Sequence, residues 1–161
     1  MKSFVQHLHE VGNRPYSWKR TGSRDSRTQW RATFNTPQKS KYVFQADVYG
    51  DQHWQVVFHL FGARDDSMGI TGTEGTSAIR VLGTVAQIFD AFVKDVNPDE
   101  IKFEADKDEG SGNEARFKIY SRFAKMFARK HGYKLKEKHY GYETIFKFTP
   151  TTRRRQQSKQ K

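Results

Sequence analysis

The stretch "GITGTEGTSAIRVLG", Gly69 to Gly83, decides how the chain is read. An aromatic, β-branched run, "HWQVVFHLFG", precedes it, and a long apolar run with helical spacing follows. In that second run Ala78, Val81, Leu82, Val85, Ile88, Phe89, Phe92 and Val96 recur at three- and four-residue intervals. Such spacing places them on one broad helix face. Thr76 or Ser77 is the natural N-cap. Pro98 ends the helix and biases Asn97 toward an extended backbone. The stretch is therefore a strand-to-helix turn. Its glycines can also bring backbone amides close to a phosphate at a helix N-terminus, where the partial charge is positive.

Upstream, "TQWRATFNT" and "KYVFQADVYG" alternate apolar and polar residues, so with "HWQVVFHLFG" they read as an antiparallel meander. Downstream, "EIKFEAD" is a short strand and "NEARFKIYSRFAKMFARKHGY" a second long helix with Gly132 at its C-cap. "YKLKEKH" and "YETIFKF" are two final strands joined by a tight turn. The order strand, strand, strand, helix, strand, helix, strand, strand implies α+β: a mostly antiparallel sheet with one parallel crossover and two long helices. Residues 1–27 form a basic segment, partly irregular, with a short helix around Phe4 to Val11. Residues 28–149 form the α+β domain, and residues 150–161 a basic tail expected to be disordered.

That order resembles the GCN5-related N-acetyltransferase (GNAT) fold from its second strand onward, in a divergent form whose compact style also suits a phage-encoded protein. In that family a glycine-containing loop between the fourth strand and the next helix holds the pyrophosphate of acetyl-coenzyme A. The resemblance makes Gly72, Gly75, Thr76, Ser77 and Arg80 the cofactor-binding candidates. Asn113 and Tyr120 keep a seven-residue spacing also found in the family. It implies Tyr120 as a general acid for the leaving thiolate, against a plain core role beside Phe117, Phe123 and Phe127. Asp47, Glu104 and Asp106 are the candidate bases. The loop departs from the family pattern. No basic residue stands just before it, and Asp65, Asp66 and Glu74 are close. Whether the chain is an enzyme, and whether acetyl-coenzyme A is its cofactor, stays open at this point.

Charge points elsewhere. The formal net charge is +11. Met1 to Gly50 carries nine Lys or Arg against three Asp or Glu. Asp51 to Gly110 carries five against twelve, and Ser111 to Lys161 fifteen against three. A chain basic at both ends suggests a polyanionic partner, nucleic acid above all. Lys118, Arg122, Lys125 and Arg129 recur on one face of the second helix. Lys134, Lys136 and Lys138 alternate on the next strand, and Arg153, Arg154 and Arg155 open the tail. Trp18 and Trp30 could stack on bases. The leading reading is a small nucleic-acid-associated accessory protein. The alternatives are an N-acyltransferase and a virion or complex structural component.

Other chemistry is disfavoured. There is no cysteine, so no disulfide or thiolate metal site. The six histidines lack zincin spacing, so no metal is expected. No Walker loop and no nucleophile elbow occurs. No apolar run is long enough to span a bilayer, and the N-terminus lacks a secretion-signal core. The expected location is cytoplasmic.

Overall fold

The computed structural model describes residues 14–22, 27–37, 41–60, 78–106, 113–140, 143–152, 154 and 155. Seven strands form one sheet: β1 (Trp18–Thr21), β2 (Gln29–Asn35), β3 (Lys41–Gly50), β4 (His53–Leu60), β5 (Glu100–Asp106), β6 (Tyr133–Tyr140) and β7 (Glu143–Pro150). The long helices among the described residues are α1 (Ala78–Val96), between β4 and β5, and α2 (Asn113–His131), between β5 and β6; the short helix expected around Phe4 to Val11 lies outside the described residues. The strand order is β1-β2-β3-β4-β5-β7-β6. Only β4 and β5 pair in parallel among the registered pairs, with Trp54 opposite Ile101 and Val56 opposite Phe103. This is the α+β architecture and the element order that the sequence implies. The addition is β1, in a segment expected to be loop. It pairs antiparallel with β2, Trp18 opposite Phe34.

The chain divides into two compact units. Unit 1 is Met1–Asp47 with Val57–Asn97, and unit 2 is Val48–Val56 with Pro98–Lys161. In unit 1, Ala32, Phe34, Tyr42, Phe44 and Ala46 are buried. They share one sheet face, because Ala32 lies opposite Phe44 and Phe34 opposite Tyr42. The apolar stripe of α1 meets that face. Phe89 packs edge-on to Phe44 at 5.5 Å, and Phe92 edge-on to Trp30 at 5.6 Å. Burying each such ring is worth roughly 1.5–3 kcal/mol.

Polar groups of α1 tie the N-terminal strands to it. The Tyr16 N–H donates to Thr84 Oγ1 (2.9 Å), and Trp18 Nε1 to Gln87 Oε1 (2.9 Å). Asp95 Oδ2 accepts from both Arg20 and Trp30 Nε1, at 2.8 Å each. These links explain why β1 is ordered without a sequence signal: its partners are about seventy residues away. At the end of α1 the Asn97 N–H still reaches the Val93 carbonyl, at 2.8 Å. Asn97 itself has φ 50°, a left-handed C-cap rather than the extended conformation expected before proline.

In unit 2, α2 covers the face bearing Ile101, Phe103, Phe146, Phe148 and Tyr133, all buried. Phe103 packs edge-on to Tyr120 (6.0 Å), and Phe127 edge-on to Phe148 (5.3 Å). No helix among the described residues is long and apolar enough to cross a membrane.

Candidate nucleic-acid interface

Helical periodicity sorts α2 into two faces. Tyr120, Phe123, Ala124, Phe127 and Ala128 are buried. Lys118, Arg122, Lys125 and Arg129, three and four residues apart, are exposed. Like charges at this spacing each cost an isolated helix roughly 0.2–0.5 kcal/mol. No carboxylate among the described residues pairs with Lys118, Lys125 or Arg129. Only Arg129, in the last turn, gains from the helix dipole.

The end of α2 is tied down by the tail. Gly132 takes φ 73°, the left-handed cap that glycine adopts without strain. The Thr151 N–H donates to the Gly132 carbonyl (3.0 Å), and the Arg155 N–H to the Thr151 carbonyl (3.1 Å). Arg154 donates to the His131 carbonyl at 2.6 Å, with its guanidinium 4.3 Å from the centre of the Tyr133 ring. The start of the tail, expected to be unstructured, is thus a helical turn that closes the C-terminus of α2. Arg154 is a half-buried capping residue, whereas Arg155 is exposed. Arg153 lies outside the described residues.

The tail turn also holds a buried tyrosine in place. The Tyr133 hydroxyl donates to the Pro98 carbonyl at 2.7 Å. Burial pushes its pKa up to about 12, against the opposing charge of Arg154.

Strand β6 alternates as "YKLKEKHY". Tyr133 is buried and Leu135 and Glu137 half-buried on the α2 side, where Ser121 Oγ donates to Glu137 Oε1 at 2.6 Å. Lys134, Lys136 and Lys138 therefore point to the opposite face of the sheet and are exposed. The sequence groups Lys134 and Lys136 with the α2 cations as one basic surface. The structure separates them into two, because a side-chain period of two sends neighbouring β6 residues to opposite faces.

The sheet face away from α2 also carries a polar cluster. Glu100 accepts a hydrogen bond from Tyr49 (2.9 Å), and Lys147 Nζ lies 3.2 Å and His53 Nε2 3.8 Å from its carboxylate. Lys102 sits over the Tyr49 ring at 5.5 Å. Burial raises the Glu100 pKa, but hydrogen bonds from Tyr49 and Lys147, and the charges of Lys147 and His53, outweigh it and hold the group below its ordinary value. A carboxylate stabilised in this way is a weak base. Burial and the Glu100 hydrogen bond raise the Tyr49 pKa. Beside the cluster is a cavity of about 420 Å³, lined by His53, Asp99, Glu100, Thr149, Pro150, Arg154 and Arg155. Its mixed charges select no single ligand. No sequence pattern marks this cluster, because its members come from four strands.

Of the candidates for coenzyme A, Gly72, Gly75, Thr76 and Ser77 lie outside the described residues. Arg80 is in the first turn of α1. Its Nε donates to the Arg14 carbonyl, and its guanidinium lies 4.1 Å from the centre of the Tyr16 ring. Tyr120 is 2% exposed and packs on Phe103, the core placement weighed against the acid role. Among the candidate bases, Asp47 accepts from Gln29 and Gln45 at 2.9 and 2.7 Å. Trp30 is 3% exposed and wedged between Phe44 and Phe92, so it cannot stack on a base. Trp18 is half-buried and bonded to Gln87.

No family model matches the chain, and no curated protein matches it. Among solved structures, it is similar to a mutant of the spermidine N-acetyltransferase SpeG from Vibrio cholerae. The TM-score is 0.48 and the identity 8%, over 83% of this chain and 72% of that one. A likeness at this level carries no chemistry across.

Proposed function

We propose that this protein binds a polyanion, nucleic acid in particular, through the exposed cationic face of α2. The observation that carries the reading is the row Lys118, Arg122, Lys125 and Arg129, exposed on a helix that buries Tyr120, Phe123, Ala124, Phe127 and Ala128 in the core. Phosphates lined along that row would relieve its self-repulsion and release counterions, which gives binding a steep salt dependence. Contacts of this kind position a nucleic acid without reading its sequence.

The test is fluorescence anisotropy with labelled oligonucleotides across a salt series. Replacing all four cations with Gln is expected to weaken binding at least tenfold. The plot of log K against log salt should flatten by about 0.7–0.9 for each phosphate no longer neutralised. Unchanged affinity would refute the reading.

A second reading, acyl transfer from acetyl-coenzyme A, draws on the element order. In the chain, Gly72 and Gly75 fall between β4 and α1, after the first strand of the parallel pair. Connections leaving the C-terminal ends of parallel strands are where open sheets bind ligands. Calorimetric titration with acetyl-coenzyme A, after copurified nucleic acid is removed, tests it. Saturable one-site binding supports transfer, and absence of heat from folded protein rejects it.

A further inference from the structure

The face of unit 2 that α2 leaves uncovered has its own pattern. Cross-strand partners share a face, so Lys136, Lys147 and Lys102, in register across β6, β7 and β5, point the same way. Lys147 is engaged by Glu100, and Lys102 by the Tyr49 ring. That leaves Lys134, Lys136 and Lys138, all exposed and with no carboxylate partner among the described residues. They are spaced about 7 Å apart along β6, at two residues of roughly 3.4 Å each. Lys136 also faces Lys147 directly, a like-charge pairing that disfavours the bare sheet. The next residue on this face of β6 is Tyr140, 52% exposed, the most exposed of the large apolar-bodied side chains among the described residues.

Lysines on an edge strand also guard against edge-to-edge pairing. That role does not account for an open aromatic ring in line with them. A row of cations at regular spacing ending in an exposed aromatic is how single strands are held: phosphates on the cations, a base stacked on the ring. A duplex keeps its bases stacked inside and has no use for the tyrosine.

We infer that β6 is a binding track for single-stranded nucleic acid, with Lys134, Lys136 and Lys138 contacting the backbone and Tyr140 stacking on a base. This rests on the reading of the protein as a nucleic-acid binder, and places a second surface on the sheet face away from α2.

The test uses the full chain and three labelled probes: oligo(dT), oligo(U) and a duplex of the same length. The track makes either single strand the tighter ligand. Replacing the three lysines with Gln should flatten the salt slope for single strands by about 0.7 for each phosphate left without its cation. Tyr140→Ala should weaken single-strand binding roughly fivefold or more, and Tyr140→Phe should restore it. Circular dichroism checks that each variant is folded. If single-strand binding is lost with the α2 variant but unmoved by the β6 variants, the track is wrong and the α2 reading survives. Equal affinity for duplex, with Tyr140→Ala harmless, also overturns the track. If the wild-type chain binds none of the probes, both readings fall together.

Discussion

The two long helices have the same length, 19 residues each, and opposite relations to charge. In α1 the cations Arg80 and Lys94 are balanced by Asp90 and Asp95. Its polar side chains are largely consumed within unit 1: Thr84 receives the Tyr16 N–H, Gln87 the Trp18 indole, and Asp95 both Arg20 and Trp30. In α2 six Lys or Arg stand against the single acid Glu114, and among the described residues no carboxylate pairs with Lys118, Lys125 or Arg129. One helix spends its polar residues on holding the structure together, and the other presents them outward. An exposed charge is informative when the fold leaves it unused, and Lys118, Lys125 and Arg129 of α2 meet that condition where Arg80 of α1, bonded to the Arg14 carbonyl, does not.

Mutations that treat the two helices alike should therefore give unlike results. The largest effect is expected from Trp30→Ala, which empties the space between Phe44 and Phe92. A buried Trp truncated to Ala costs about 3–5 kcal/mol, readable as a lowered midpoint in urea unfolding. A loss under about 1 kcal/mol, the ordinary size of a point-mutation effect, would mean that the α1 packing is looser than described. Asp95→Ala comes next. It leaves the Trp30 N–H without its acceptor and removes the Arg20 pair at once, for roughly 1–3 kcal/mol. The smallest change should come from the four Gln substitutions on α2, within about 0.5 kcal/mol of wild type, because they disturb little inside the fold and relieve like-charge neighbours. If those substitutions destabilise the protein as much as Asp95→Ala, the α2 cations are structural and the comparison fails.

Much of the fold was legible in the chain because its signals are local. Period-two alternation marks β2, β3 and β6, and three-four spacing marks α1 and α2, so core residues such as Phe44, Phe89 and Phe127 could be placed on inward faces. β1 was not legible. "WKRT" has no strand pattern, and its order comes from Gln87 and Asp95, residues far along the chain. Trp30 shows the same limit from the other side. Its basic neighbourhood suggested a stacking platform, while its ring is core.

The sequence by itself determined the order of elements from β2 onward, the inward faces, the parallel crossover and the concentration of positive charge toward the C-terminus, since composition and periodicity are properties of neighbours along the chain. Only the tertiary structure decided which charges remain available. It committed Arg154 to the end of α2, drew Glu100 together with Lys147, His53 and Tyr49, and turned Lys134, Lys136 and Lys138 to the face opposite α2. Those outcomes depend on strand register and on which side of a sheet a helix covers. Both are settled by contacts between residues distant in sequence, which no local pattern encodes.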